Sequence, residues 1–115
     1  MTQLDAVMAK VRAENRAALI AYIPAGFPSQ AGCAKAIQAL AAAGVDAIEI
    51  GFPYSDPVMD GPTIQAAAVT ALENGTGAAE VMSALTVATA EKLNELKQGI
   101  DQTQRNSNNA PDLIK

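Results

Sequence analysis

The chain has 115 residues, half of them hydrophobic and 3% aromatic, and its formal net charge at pH 7 is −4. This length allows at most one domain, and a core made largely of alanine predicts marginal stability. The eight basic residues form no cluster, which argues against nucleic-acid binding. No apolar run is long enough to cross a bilayer, and the N-terminus lacks a secretory pattern, so we expect a cytoplasmic protein without a membrane partner.

The cysteine and histidine content limits the possible chemistry. The chain has one cysteine, Cys33, and no histidine. This excludes an internal disulfide, the usual Cys/His and Ser/His mechanisms and most metal sites. Cys33 falls at helical spacing with Ile37 and Leu40, which indicates a core position and not a nucleophile. No glycine-rich phosphate loop occurs, and we expect neither a metal nor another cofactor.

The first stretches of the chain predict a helix followed by a strand. Residues 2–14 carry apolar side chains at the spacing of one helical face, behind Thr2 as a cap. Residues 17–25 are almost continuously apolar, which is typical of a strand buried on both faces. Tyr22 is the one polar-capable side chain of this strand, and a buried tyrosine usually finds a hydrogen-bond partner.

Two Gly-Phe-Pro tripeptides, at 26–28 and 51–53, mark an internal repeat. Between them, a helix capped by Ser29 and closed by Gly44 leads to a second strand over residues 45–51. Strand, Gly-Phe-Pro and helix therefore occur twice in succession. This βα repeat predicts a parallel sheet with its loops on one edge.

Two carboxylates lie where the second βα unit could perform chemistry. Glu49 is the only charge on its face of the strand, and burial under covering helices would raise its pKa and suit it to general acid/base catalysis. Asp60 ends the following loop, just before Gly61 and Pro62. Each acid has a structural alternative, because Glu49 could point to solvent at a strand end and Asp60 could cap the helix that Pro62 begins.

The rest of the chain is predicted to be helical. Residues 62–74 form a helix with Ile64 on its inner face, and Asn74 and Gly75 stop it. Residues 78–98 contain neither proline nor glycine, so we expect one helix over about 78–100 instead of a third strand, with a weak strand at 86–90 as the alternative. Residues 102–111 are polar and aperiodic, and disorder is expected there. The chain then divides into a βα domain over residues 1–90 and a helical, then disordered, polar tail over residues 91–115.

The segment Glu49-Ile50-Gly51-Phe52-Pro53-Tyr54-Ser55-Asp56-Pro57, followed by Asp60-Gly61-Pro62-Thr63-Ile64-Gln65, resembles the signature of the tryptophan synthase alpha chain. The stretch 19–28 and its spacing from this segment are similar as well, so the resemblance covers about 17–85. It implies an α/β fold, a partial TIM (β/α)8 barrel with the first two parallel βα units and an N-terminal helix, then a helical tail. It also implies a lyase of tryptophan biosynthesis that splits the small-molecule substrate indole-3-glycerol phosphate into indole and glyceraldehyde 3-phosphate.

The resemblance also assigns roles to individual residues. It implies that Glu49 and Asp60 are the catalytic acids and that Tyr22 and Ile64 contact the substrate. The loop implied to dock on a tryptophan synthase beta chain, in an alpha2beta2 assembly, contains Pro53, Asp56, Pro57 and Val58. A stiff, solvated turn is the structural alternative for this loop, because proline fixes φ and restricts the residue before it.

Three hypotheses about function follow. The first, which we favour, is an alpha-chain lyase in an incomplete form, because a TIM barrel needs eight strands and typically about 250 residues. The isolated chain would then be inactive. The second is a non-catalytic module that docks on a beta chain through residues 53–60. The third is a βα unit that folds only by oligomerising, since open strand edges invite pairing.

Overall fold

Six elements follow one another along residues 2–108, the part of the chain that the structure, a computed structural model, describes. In chain order they are α1 (Gln3–Ala13), β1 (Ile20–Pro24), α2 (Gln30–Ala42), β2 (Ala47–Gly51), α3 (Pro62–Glu73) and α4 (Ala78–Asn108). The alternation of strands and helices confirms the predicted α/β class. Within these residues, none of the helices has both the length and the apolar character needed to cross a membrane.

The two strands form a parallel pair, as the Gly-Phe-Pro repeat predicts. Ile20 lies opposite Ala47, Tyr22 opposite Glu49, and Pro24 opposite Gly51. Both strands are shorter than expected at their amino ends. Just before β1, the Leu19 amide donates to the Asp46 carboxylate at 2.9 Å, while the Leu19 carbonyl accepts from the Asp46 amide at 2.9 Å.

Helices α1, α2 and α3 begin and end close to where the sequence predicts, and the predicted capping residues of α1 and α2 make their bonds. Thr2 and Asp5 form a reciprocal capping box at the start of α1. The Ser29 hydroxyl accepts from the Gly32 amide at 2.9 Å at the start of α2. Gly44 and Gly75, at φ +86° and +81°, follow the ends of α2 and α3 in the left-handed conformation that stops a helix.

The core lies on one face of the sheet. It joins Ile23 of β1 and Ala25, which directly follows β1, to residues of α2 and α4, and Ile48 and Ile50 of β2 pack against it. The buried helix residues of this cluster are Cys33, Ile37, Val81 and Ala84. On the opposite face Ile20 is 53% exposed and Tyr22 41% exposed. The expectation of a strand buried on both faces is therefore wrong for the described residues, because α2 and α4 cover the same side.

Helix α4 is longer than predicted. It runs to Asn108, so the disorder expected from residue 102 is wrong for 102–108, whereas 109–115 lie outside the described residues. The helix packs on the sheet through Val81 and Ala84, while Met82 and Leu85 of the predicted apolar stripe are 62% and 42% exposed. The side chains of Leu93, Leu96 and Ile100, the rest of that stripe, also lie outside the described part.

Candidate functional site

The carboxyl ends of the two strands define one edge of the molecule, from which the loops 25–29 and 52–61 depart. The Ala25 amide donates to the Gly51 carbonyl at 2.9 Å, which continues the strand pairing up to this edge. Because Tyr22 lies opposite Glu49, their side chains lie on the same face. This is the open face of the sheet, opposite the core.

Glu49 is exposed in the structure. The apolar enclosure that the sequence predicts around its carboxyl group is not formed by the described residues. The reason is that α2 and α4 pack on the side of Ile48 and Ile50, whereas Glu49 points the other way. The carboxylate is therefore open to a ligand or to a further layer of structure.

Asp60 is half-buried and does not cap α3. The N-cap of that helix is Gly61, with no side-chain hydrogen bond, and Pro62 follows in the first turn. The main chain of Asp60 is fixed instead, because its amide donates to the Pro57 carbonyl at 3.1 Å and its own carbonyl accepts from Gln65 Nε2 at 2.7 Å. The capping alternative is therefore wrong, and the carboxylate remains available for another use.

Tyr22 links these two acids. Burial raises the pKa of its phenol above the ordinary value, and the negative charges of Asp60, Glu49 and, least, Tyr54 raise it further. The negative charges of both acids therefore act on the Tyr22 phenol. The phenol stays protonated at neutral pH and can donate a hydrogen bond there.

An apolar groove of about 500 Å³ runs beside this acid pair, between β1 and α3. Its lining includes both residues predicted to contact substrate, Tyr22 and Ile64, together with Phe27 of the first Gly-Phe-Pro turn. The remaining lining residues are Ile23, Pro24, Thr63, Ala66, Ala67 and Thr70. A groove of this size and character suits a flat, largely apolar ring.

Only some residues of the loop predicted to dock on a partner are exposed to solvent. Pro53 is buried and Pro57 is half-buried, so they anchor the loop, whereas Asp56 is exposed. Val58 and its neighbour Met59 are 72% and 90% exposed. Of the loop residues around the predicted docking site, Asp56, Val58 and Met59 are therefore accessible from solvent.

Sequence reasoning missed a polar clasp that holds the first Gly-Phe-Pro turn. Asn74 Nδ2 donates to the carbonyls of Gly26 and Pro28, at 3.1 and 2.8 Å. Gln30 Nε2 donates to the hydroxyl of the buried Thr76 at 2.8 Å. Gly26 has φ +85°, and a Cβ on it would lie 3.0 Å from Thr76 Cβ, so its place needs a glycine. The glycine of the first tripeptide was the available sequence signal for this clasp. Asn74, which bonds to that turn, predicted only the end of a helix.

Residues 2–108 contain no group of three or more acidic, cysteine or histidine side chains that could hold a metal ion. The lone Cys33 is buried in the core, as predicted. The candidate site therefore consists of two carboxylates, a phenol and an apolar groove.

Parallel βα units with acids at the carboxyl edge of their strands are the arrangement of (β/α)8-barrel enzymes. A family model described as "Tryptophan synthase alpha chain" matches residues 8–96. The alpha chain of Thermobifida fusca is 53% identical over 83 residues, which are 72% of this chain and 31% of that protein. The alpha chain of Nocardia farcinica is 49% identical over 89 residues, 77% of this chain and 34% of that one.

Solved structures give the same result. Tryptophan synthase from Mycobacterium tuberculosis, in its aminoacrylate-bound form, superposes with a TM-score of 0.76 at 42% identity, covering 79% of this chain and 37% of that chain. The alpha subunit from Legionella pneumophila gives 0.72 at 31% identity, covering 76% of this chain and 34% of its own.

The chain belongs to the tryptophan synthase alpha chain family. It spans about a third of the length of the curated relatives that it matches. Its fold is accordingly part of a TIM barrel, with two parallel βα units, and the family match extends beyond the predicted limits of 17–85 at both ends. The first half of α4 lies inside the matched region.

Proposed function

We propose that this chain carries the acid pair of a lyase that cleaves indole-3-glycerol phosphate into indole and glyceraldehyde 3-phosphate. One observation supports this most: Glu49 and Asp60 lie at one edge beside Tyr22, next to an apolar groove, and neither acid is used to cap a helix. Family membership supplies the substrate class. The proposal places the chain in tryptophan biosynthesis, and we infer a cytoplasmic location for it.

Glu49 is proposed as the general acid and base. Glu49 first delivers a proton to the ring carbon that carries the glycerol chain, and positive charge develops at the ring nitrogen. The Glu49 carboxylate then removes the proton of the adjacent glycerol hydroxyl, and the electron pair of that O–H bond forms the new carbonyl. The bond between the ring carbon and the glycerol carbon breaks as its electron pair returns to the ring and cancels the positive charge, so Glu49 regains its proton and no outside oxidant or proton is needed. Positioned proton transfer of this kind typically contributes about 10²- to 10⁴-fold in rate.

Asp60 is proposed to hold the indole N–H. As the ring carbon gains its proton, positive charge develops at the ring nitrogen, and a nearby carboxylate stabilises that charge. Tyr22 and Ile64 would contact the indole ring, since both line the groove beside the acids. Glu49 and Asp60 would then transfer protons or balance charge, and Tyr22 and Ile64 would position the ring.

The two strands and their loops supply part of such a site. In TIM barrels the phosphate group is frequently bound by the loops after strands seven and eight, and catalytic residues come from several strands. A substrate held by one wall alone loses most of the rate gained from orientation. We therefore expect the isolated chain to be inactive and the acid pair to work only within a completed barrel.

Indole release from indole-3-glycerol phosphate tests the proposal. The purified chain is assayed alone and mixed with the rest of the Thermobifida fusca alpha chain, the part that this chain does not match. We expect indole in the mixture only, because the second fragment supplies the remaining wall. Glu49→Gln should lower the rate about 10²- to 10⁴-fold.

Asp56→Asn provides the matched control, since it removes a carboxylate from the loop that carries Asp60 and leaves both Glu49 and Asp60 unchanged. A rate that falls equally in Asp56→Asn and Glu49→Gln would contradict the assignment. So would a mixture that sedimentation shows to be associated, and circular dichroism shows to be folded, but that releases no indole.

A second candidate function, docking on a tryptophan synthase beta chain, is favoured by the exposed loop residues Asp56, Val58 and Met59. Large apolar side chains with this exposure often mark a contact surface. A pull-down with a purified beta chain tests it, with Asp56→Ala expected to weaken capture. Asp101→Ala, an exposed acid on α4, is the control that should leave capture unchanged. Equal capture of both variants, or none of the unmodified chain, would exclude docking through this loop.

A further inference from the structure

Gly51 occupies a position where the backbone does not require glycine. Its φ lies outside the left-handed region, unlike that of Gly26, Gly44 or Gly75. Gly51 ends β2 in ordinary strand pairing with Pro24. The reason for glycine here must therefore be space and not conformational freedom.

The space at Gly51 is filled by Tyr22. A Cβ on Gly51 would lie 2.6 Å from Tyr22 Cζ and 2.9 Å from Tyr22 Cε2, with the phenol oxygen closer still. Real Cβ atoms do not approach another heavy atom so closely, so the ring would have to move. Tyr22 lies opposite Glu49 but reaches across to Gly51, two residues further along β2. The phenol therefore leans toward the carboxyl edge, where the loop carrying Asp60 begins.

We propose that Gly51 is a positioning residue of the candidate site: by lacking a side chain, it seats the Tyr22 phenol on the open face beside Glu49, with the hydroxyl directed to the carboxyl edge. The position of the phenol does not depend on the proposed function. Only its contact with a substrate rests on that function. The arrangement makes the Tyr22 hydroxyl, and not its ring alone, part of the polar surface that a substrate meets. An alanine at 51 would push the phenol away from the acids without changing either carboxylate.

The amino-acid content of the chain makes this arrangement measurable without a substrate. The chain has two tyrosines, Tyr22 and Tyr54, and no tryptophan. In a Tyr54→Phe background, the near-ultraviolet absorbance of phenolate reports the titration of Tyr22 alone. We expect its pKa to lie above the ordinary value of about 10. Asp60→Asn and Glu49→Gln should each lower it, because each removes a negative charge beside the phenol.

Gly51→Ala in the same background should shift the Tyr22 pKa down toward the ordinary value, since the displaced ring moves away from both carboxylates and becomes more exposed to water. Gly61→Ala is the matched control, because a Cβ there meets nothing within 4 Å and its φ is −72°. An unchanged Tyr22 pKa in Gly51→Ala would overturn the proposal. So would an equal shift in Gly61→Ala.

A thermodynamic cycle covers the case in which Gly51→Ala mainly disturbs folding. If the clash with the phenol is what Gly51 avoids, Gly51→Ala should lower the midpoint of thermal unfolding in the presence of Tyr22 and have little effect in a Tyr22→Ala background. Equal effects in both backgrounds would contradict the proposal. Neither measurement needs indole release, so a chain that fails the lyase test can still pass this one, and the reverse.

Discussion

At the scale of single residues, Asp46 ties three parts of the chain together at the amino ends of the strands. Its carboxylate accepts from Arg16 Nη1 and Nη2, both at 2.8 Å, and from the Leu19 amide at 2.9 Å. The side chain of Asp46 is 10% exposed and that of Arg16 41% exposed. Arg16, and next the Leu19 amide, hold the pKa of Asp46 well below its usual range.

This pair predicts a loss of stability in acid. Because the pKa of Asp46 is lowered by folding, its contribution is fully present above the unfolded value of about 3.9 and is lost as the pH falls toward the folded value. Asp46→Asn should therefore lower the thermal midpoint at pH 7. Below about pH 4 the difference between the variant and the unmodified chain should shrink. Thermal unfolding followed by circular dichroism across this range measures both effects.

Asp56→Asn serves as the control for this prediction as well. Asp56 is exposed and takes no part in the Arg16–Glu14 and Arg16–Asp46 ion pairs. The midpoint of thermal unfolding of Asp56→Asn should equal that of the unmodified chain at every pH. A difference between Asp46→Asn and the unmodified chain that grows as the pH falls would reverse the expected sign and refute the role of the carboxylate.

Individual side chains also show what the sequence could and could not predict. The positions of Glu49 on a strand and Asp60 before a helix follow from local spacing, and the structure has them there. The exposure of Glu49 did not follow, because it depends on which helices cover which face. The sequence also did not predict that the Asp60 carboxylate leaves α3 uncapped, because an acid just before Gly61 and Pro62 has the pattern of a helix cap.

At the scale of elements, the clasp made by Asn74 joins the end of α3 to the turn after β1. One side-chain amide satisfies two carbonyls, those of Gly26 and Pro28. The turn carries Phe27, which lines the groove. The shape of the groove therefore depends on a residue that lies 48 positions away from Gly26 along the chain.

Asn74→Ala should loosen this turn. We expect a cost of about 1 kcal/mol in the free energy of unfolding, the typical net value of such hydrogen bonds. Hydrogen exchange should show faster exchange at the Phe27 amide, which donates to the Pro24 carbonyl within the turn. Asn94→Ala, on the exposed side of α4, is the control and should change neither quantity. Equal exchange rates at Phe27 in both variants would rule out the clasp.

The helices divide into those whose ends the sequence predicts and one whose end it does not. Gly44 and Gly75 stop α2 and α3 through positive φ, and both stops were predicted. α4 has no such residue until Gly99, which lies inside the helix. The prediction of a helix instead of a third strand was right because nothing interrupts residues 78–98. The sequence did not predict which side of α4 is buried, because smaller residues face the sheet there and the larger Met82 and Leu85 do not.

At the scale of the whole molecule, one face of the sheet is packed and the other is open. Ile20 and Tyr22 of the open side are 53% and 41% exposed. Apolar surface of this kind next to strand edges favours association. The hypothesis that the chain associates with other copies therefore remains a prediction with a structural basis.

Sedimentation velocity over a range of concentrations tests this prediction. The sedimentation coefficient should rise with concentration, because burying the open face removes apolar area from water. Ile20→Glu should suppress the rise, since like charges of two copies would then meet. Val69→Glu adds the same charge on α3, where Val69 is 50% exposed, and should leave the rise intact. A monomer at all concentrations would contradict the idea, as would equal suppression by both variants.

Helix α4 also determines how the molecule rotates in solution. Lys92 Nζ donates to the Val45 carbonyl at 3.3 Å, which places this point of the helix at the amino edge of the sheet. Residues 93–108 continue for roughly 24 Å beyond it at 1.5 Å per residue. The molecule measures 68 × 28 × 23 Å and its radius of gyration is 18.3 Å, against about 13 Å for a compact chain of this length. We therefore expect it to tumble as a rod, and the amides of α4, whose N–H bonds lie along the rod, should show faster transverse relaxation in NMR than the strand amides that point across it.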